Sequence, residues 1–303
     1  MLPRGRQLQY LVTVAEEGQL TSAAKRLGLA QPALSHAIAG LEDELGVELL
    51  ARSPRGVALT AAGTAFLVEA RVALAAELDA VRTGEALARQ QRGELTIGFI
   101  GPPPELISPE LFAAFARRHS EAQVSFMDLP FPSGRTSTWL ADADVAICHA
   151  PLPEADVRIH LIRREPRAIV ARGTDLPVRD GTVSVAEVLD ETFVGYHPDV
   201  QGGWAGFHSL DDHRGGPPPQ LTEDRALTSL QMLGIMTTSS RAVTTIPHAD
   251  AKLVKMAVPD LAVFELRDVE PSLISMVWRR DNSNPLIAGL AASADDVAVD
   301  DGI

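Results

Sequence analysis

Residues 22–46 read SAAKRLGLAQPALSHAIAGLEDELG, and their interpretation decides the fold of the N-terminal third. One glycine, Gly28, separates two stretches whose apolar residues recur at helical spacing. In the first, Thr21 or Ser22 is expected to cap a short helix that turns Ala23, Ala24 and Leu27 inward. Gly28 then lets the chain reverse. The second helix is predicted to start near Gln31, with Pro32 in its first turn, where a missing N–H is harmless. Leu34, Ile38, Leu41 and Leu45 form one apolar stripe of that helix, while Gln31, Ser35 and Ala39 share another face beside Pro32, His36 and Gly40. Short side chains let a helix approach a second surface closely, and the polar ones carry donors and acceptors. A helix that enters the DNA major groove needs both properties.

Working outward, Leu8, Leu11, Val14 and Ala15 predict an amphipathic helix ahead of this pair. Behind it, VELLARSPRGVALT reads as two short strands, around 47–51 and 57–59, joined by Ser53-Pro54-Arg55-Gly56. Arg52 and Arg55 therefore sit on or beside a hairpin tip, where arginine suits phosphate or the negative potential of a minor groove.

Charge is divided unevenly along the 303 residues. Residues 1–92 hold ten Lys/Arg and ten Asp/Glu, whereas residues 93–303 hold 17 against 30, which is the whole net charge of −13. An acidic chain is repelled by nucleic acid as a whole, so any DNA contact belongs to the neutral third, with its pairs Arg4/Arg6, Lys25/Arg26 and Arg52/Arg55. The single cysteine, Cys148, excludes an intrachain disulfide and a cysteine-rich zinc site. No apolar run approaches the ~18 residues that span a bilayer, and the N-terminus lacks the pattern of a signal peptide. A cytoplasmic protein with no membrane partner is expected.

The run Leu8, Tyr10, Val14-Ala15-Glu16, Gly18, Ala23-Ala24, Leu27, Gln31-Pro32-Ala33-Leu34-Ser35, Ile38, Leu41-Glu42, Leu45-Gly46, Leu49, Arg52, Gly56, Leu59-Thr60, Ala62-Gly63 resembles the winged helix-turn-helix of LysR-type transcriptional regulators. It covers almost all of the first 63 residues without gaps. Gln19, Ala30 and His36 depart from the family's usual residues. The resemblance implies double-stranded DNA as partner. Gln31 and Ser35, with Pro32 and His36 beside them, would lie at base edges, Thr21, Ser22 and Arg52 at phosphate, and Arg55 in the minor groove.

Thr60 is expected to cap a helix running to about Gln91, with Leu67, Ala70, Leu74, Leu78 and Val81 making an apolar seam. Little of its own chain is expected to cover that seam. Resemblance implies that the helix pairs with its copy in a homodimer, and that dimers assemble into a homotetramer.

From Gly93 strands and helices alternate. Runs at 95–100, 124–129, 145–149, 169–172, 193–196, 243–246 and 272–280 read as strands, with helices around 109–119 and 227–236. The fold class is thus α/β: an N-terminal winged helix-turn-helix, a long linker helix, and a sensor that resemblance makes two-lobed and like a periplasmic binding protein. The expected domains are a DNA-binding domain at 1–59, a linker helix at 60–92 and an effector-binding domain at 93–303. In the last, lobe I takes about 93–164 and 267–295, lobe II about 165–266, and the tail from Ala298 to Ile303 is expected to be disordered.

Catalytic motifs are missing: there is no G-x-S-x-G, no G-x-x-x-x-G-K-[ST] and no H-E-x-x-H. HSLDDH, from His208 to His213, reads as a polar surface turn rather than a metal site, and Cys148 as a small buried hydrophobe. No catalytic residue, metal ligand or cofactor is assigned. Transferred from the family pattern, Pro102, Ser137, His149, Tyr196 and His197 would face a small-molecule effector between the lobes. The pocket is expected to be largely apolar with a few polar anchors, suited to a weak acid or an aromatic. The function expected is a DNA-binding regulator that senses a small molecule. The alternative is an effector-independent architectural protein whose C-terminal half only assembles.

Overall fold

The computed structural model describes residues 5–53, 56–101, 108–133, 140, 142–149, 157–172, 176–239 and 241–300. The chain divides into two compact units, 1–82 and 83–303.

The first unit begins with α1 (Gly5–Glu17), α2 (Leu20–Leu27) and α3 (Gln31–Leu45). Leu11, Val14, Ala23, Ala24, Leu34, Ile38 and Leu41 from these helices, with Leu49 and Leu50 beyond them, form a single buried cluster. Gly28 adopts φ 67° and ends α2, a left-handed conformation that glycine takes without a Cβ clash. Two expectations are corrected here. The residue at the cap of α2 is Gln19, with no side-chain hydrogen bond, and Thr21 and Ser22 lie inside the first turn. Leu45, the last residue of α3 before Gly46 ends the helix at φ 68°, is 36% exposed rather than part of the core stripe.

Glu42 links α3 to the hairpin: its Oε1 accepts hydrogen bonds from the backbone N–H of Leu49 at 2.8 Å and of Leu50 at 2.9 Å. The antiparallel strands β1 (Leu50–Ser53) and β2 (Gly56–Leu59) follow. Then Thr60 caps α4 (Ala61–Gln91), its hydroxyl accepting from Gly63 N–H at 2.9 Å and donating to the Glu48 carbonyl at 2.7 Å. Gly63 sits so close to the Leu49 backbone that a Cβ would collide with its carbonyl oxygen. The expected seam of α4 is split. Leu67 and Ala70 are buried, against the expectation that little of the chain would cover them, Leu74 is half-buried, and Leu78 and Val81 are 54% and 56% exposed.

Among its described residues, the second unit contains two sheets. One is five-stranded, in the order β4 (Gln123–Asp128), β3 (Glu94–Phe99), β5 (Val145–His149), β13 (Ser272–Arg279), β6 (Val157–Glu165). β3 is parallel to β4 and β5, and β13 is antiparallel to β5 and β6. The other is six-stranded: β10 (Leu221–Ala226), β9 (Thr192–Tyr196), β11 (Ala242–Pro247), β7 (Arg167–Arg172), β12 (Leu261–Arg267), β8 (Thr182–Ser184). The chain crosses from the first sheet to the second at Pro166, between β6 and β7, and returns between β12 and β13. Helices α5 (Pro109–Arg118), α6 (Gly202–His208), α7 (Asp211–Arg214), α8 (Ser229–Thr238), α9 (Ala251–Ala257) and α10 (Pro285–Asp300) accompany them.

Strands β6 and β10 carry no clear apolar run in the sequence. In β6 the side chains of Arg158, Ile159 and Leu161 are all exposed, so the apolar pair Ile159 and Leu161 on one face and Arg158 on the other are open alike. The expectation of a disordered tail is corrected for 298–300, where α10 continues to Asp300; residues 301–303 fall outside the described residues. Asp144, just ahead of β5, is 1% exposed and ties α4 to the sheet: its carboxylate accepts from Arg89 Nε and Nη2, both at 3.2 Å, and from Thr96 N–H at 2.8 Å.

Candidate functional site

Two regions carry the residues singled out from the sequence. The first is the face of α3 away from the N-terminal core. Gln31, Pro32 and His36 are exposed and Ser35 is half-buried, whereas Leu34, Ile38 and Leu41 are buried on the other side. The core stripe therefore leaves the small polar face open, as a helix that docks into a groove requires. Thr21 is exposed and Ser22 half-buried at the start of α2. Arg26 is less available than its charge suggests, since its Nη1 is bound to Glu16 at 2.9 Å and Glu17 at 3.1 Å. Arg52 lies on β1, next to the turn of the hairpin. Arg55 falls outside the described residues.

The second region is a cavity of about 400 Å³ between the two sheets of the second unit. Its wall is mostly apolar: Phe99 and Phe131 come from one side, and Met232, Leu233, Leu253 and Val254 from α8 and α9 on the other. His149, at the end of β5, and Tyr196, at the end of β9, both line it. Both lie where strands run out, the usual position for ligands in open α/β sheets. Pro102 and Ser137 fall outside the described residues. His197 does not line the cavity; its side chain is 42% exposed and its Nδ1 accepts from Asp199 N–H at 3.2 Å. Neighbouring residues in an extended strand point to opposite sides, so Tyr196 and His197 do not share a pocket.

The sequence reading passed over polar residues of this cavity, among them Asp128, His208 and Asp250. His208, taken there as part of a surface turn, is 4% exposed and lines the cavity. Only the second half of HSLDDH is open, with Asp212 exposed and His213 hydrogen-bonded to Glu270 at 3.1 Å. The signal that could have found His208 is Trp204, four residues earlier on the same face of α6 and 1% exposed.

His149 and His208 touch through their Nε2 atoms at 3.2 Å, and His208 Nδ1 lies 2.7 Å from the Thr245 carbonyl. A carbonyl only accepts, so His208 carries its proton on Nδ1 and offers a bare Nε2. His149 must then donate from Nε2, which leaves its Nδ1 as an acceptor. Burial holds both rings neutral. His149 is kept well below the ordinary value by burial, then by the charge of His208 and of Arg167. His208 is lowered to about 4 by burial, against the opposing Thr245 hydrogen bond and with a smaller push from Arg167. Tyr196 hydrogen-bonds Thr244 Oγ1 at 3.1 Å, and burial pushes its phenol up. Cys148 is 3% exposed and its thiol is likewise pushed up by burial, so it packs as a small hydrophobe.

Among the described residues no helix is long and apolar enough to cross a membrane. Residues 5–64 match the family described as bacterial regulatory helix-turn-helix protein, lysR family, and residues 88–298 match the LysR substrate binding domain. The transcriptional regulator AlsR of Bacillus subtilis is 26% identical over 287 residues, which are 93% of this chain and 92% of AlsR. The regulator IlvR of Caulobacter vibrioides is 28% identical over 292 residues, 94% of this chain and 95% of its own. Among solved structures, full-length CbnR in complex with its target DNA superposes with a TM-score of 0.57 at 23% identity, covering 97% of this chain and 99% of CbnR. Full-length BenM gives a TM-score of 0.52 at 20% identity, covering 99% and 98%. The two structures carry the fold, and the two family matches together span nearly the whole chain. The chain belongs to the LysR family of bacterial helix-turn-helix transcriptional regulators, with a DNA-binding head and an effector-binding domain.

Proposed function

We propose that this regulator reads DNA through α3 and changes its DNA binding when a small molecule enters the cavity between its two sheets. The observation that carries the reading is the cavity of about 400 Å³, apolar in its walls, with a neutral hydrogen-bonded His149–His208 pair set into it. That combination of apolar wall and few polar anchors is usual for a small-molecule site. The chain divides, in this reading, into a head at 1–59, a linker helix at 60–92 and an effector domain at 93–303. Gln31 and Ser35 meet base edges, Thr21, Ser22 and Arg52 meet phosphate, and Arg55 enters the minor groove. His149 and Tyr196 contact the effector, together with His208, and Pro102 and Ser137 face it as the family pattern implies. The exposed apolar side chains of Leu78 and Val81 support a homodimer through α4, with assembly to a homotetramer beyond it. DNA as target places the protein in the cytoplasm. The effector leaves unchanged, because the anchors are two neutral imidazoles and a protonated phenol rather than an activated nucleophile.

The test is a small-molecule screen by thermal shift on the full chain, followed by DNA-binding titrations with each compound that stabilises it. Compounds that raise the melting temperature should also change DNA affinity. A Leu233→Trp variant, which fills the cavity, should lose both effects while binding DNA as the native protein does. If that variant still binds the compounds with unchanged affinity, the cavity is not the effector site.

A further inference from the structure

The cavity has a polar group that the histidine pair does not use. Asp250 is 6% exposed, lines the cavity and stands at the start of α9. An aspartate at that position ordinarily caps its helix, but Asp250 makes no side-chain cap hydrogen bond. Among the described residues its carboxyl has no hydrogen-bond or ion-pair partner at all. Arg163, the cation acting on it, is itself bound to Glu165 and Ser108. A buried carboxyl without a partner is costly unless something else completes it. Its state reflects that: burial, with Glu165 adding and Arg163 opposing, pushes it up to about 7.

The remaining electrostatics of the cavity point the same way. Asp128 is a second carboxylate on its wall, and no Lys or Arg lines it among the described residues. The histidines are neutral, and the tautomers derived above leave His149 Nδ1 as an acceptor on a ring that lines the space. The sensor unit as a whole carries the acidic excess of the chain. The cavity thus offers acceptors and negative charge inside an apolar shell, which disfavours the weak acid expected from the sequence.

Resting on the cavity reading above, we infer that the effector is a small apolar amine, its cationic nitrogen donating to the Asp250 carboxylate while its hydrocarbon part lies against Phe99, Phe131, Leu233 and Val254. A protonated amine supplies both the counter-charge and the N–H donors that Asp250 lacks. Hydrogen bonds of this charge-assisted kind are the stronger ones.

The experiment is isothermal titration of the full chain with three matched probes, 2-phenylethylamine, 2-phenylethanol and 3-phenylpropionate, each with longer alkyl homologues. The amines should bind at least about tenfold more tightly than the alcohols, the difference expected of one charge-assisted hydrogen bond, and the carboxylates should bind worst. Asp250→Asn keeps the shape and removes the charge. It should bring the amines down to the level of the alcohols while leaving the alcohols unchanged, which also shows that the variant is folded. Carboxylates or alcohols binding as tightly as the amines, or an amine preference that survives Asp250→Asn, overturns the inference and leaves the cavity reading standing. If the alcohols and amines bind Leu233→Trp as they bind the native chain, or no probe binds at all, the cavity reading falls and this inference with it.

Discussion

Replacing His208 by leucine separates the two things its burial does. At neutral pH the substitution keeps most of the volume but removes two hydrogen bonds, to His149 at 3.2 Å and to the Thr245 carbonyl at 2.7 Å. It leaves the His149 Nε2 proton without its acceptor inside a site where His149 is only 6% exposed. A buried polar group stranded in this way costs about 1–3 kcal/mol, and the loss of the carbonyl's partner adds to it, so about 3 kcal/mol of stability should disappear at pH 7.5. Acid should then narrow the gap. The imidazole of His208 titrates near 6.5 when unfolded and is lowered to about 4 in the fold. The folded native protein therefore binds fewer protons than the unfolded chain between those values, and its stability falls as pH drops through that window. Between pH 7.5 and pH 5 the loss is about 2 kcal/mol, a term the leucine variant no longer has. Asp250, pushed up to about 7, works in the opposite direction, since the fold then binds more protons than the unfolded chain. That carboxyl is present in both proteins and drops out of the comparison. The assay is urea unfolding followed by tryptophan fluorescence. Trp139, Trp204 and Trp278 are all in the second unit, so the signal reports that unit alone. The native-minus-variant difference should shrink from about 3 to about 1 kcal/mol between pH 7.5 and pH 5. A difference that stays constant or widens on acidification would mean that the ring is not held neutral by burial, and the account of the histidine pair would be wrong.

Three further outcomes follow from the same geometry. Gln31→Ala should weaken binding at the cognate DNA site by about 1–3 kcal/mol and relax its sequence preference, measured by fluorescence anisotropy; equal weakening on random DNA would remove Gln31 from base readout. The double variant Leu74→Glu, Leu78→Glu places charge on the open part of α4, where Leu78 is 54% exposed, and should sediment as a monomer that no longer holds a paired half-site. An unchanged sedimentation profile would rule that seam out as an interface. Gly63→Ala forces a Cβ against the Leu49 carbonyl and should destabilise the DNA-binding head by about 1–3 kcal/mol, read as loss of DNA binding with tryptophan-monitored unfolding of the sensor unchanged. Full DNA affinity in that variant would show that the contact between α4 and the hairpin strands can relax.

The sequence by itself determined the DNA-binding head. Leu34, Ile38 and Leu41 repeat at helical spacing, Gly28 and Gly46 occupy the left-handed positions that end α2 and α3, and Thr60 caps α4. These features depend on torsions and spacings within a few residues, so a local pattern suffices to see them. The fully buried strand β5 was legible for a similar reason, as an unbroken apolar run. Strand β6 was not, because its apolar and charged residues are exposed alike, Ile159 and Leu161 on one face and Arg158 on the other, and its pairing with β13 makes it a strand. Likewise α2 begins at Leu20 rather than behind a Thr21 or Ser22 cap, since packing against α1 and α3 set its start in place of a side-chain hydrogen bond. The cavity belongs to the tertiary structure more completely. His149 and His208 are 59 residues apart and lie on separate elements. His208 and His213 sit in one short polar segment, yet one is buried and neutral while the other reaches solvent and Glu270. Asp250 is an unremarkable aspartate until the fold takes it out of water without a partner. Which residues are polar is written in the chain, but whether each is charged, neutral or left wanting a ligand depends on desolvation by distant elements, and only the folded protein sets that.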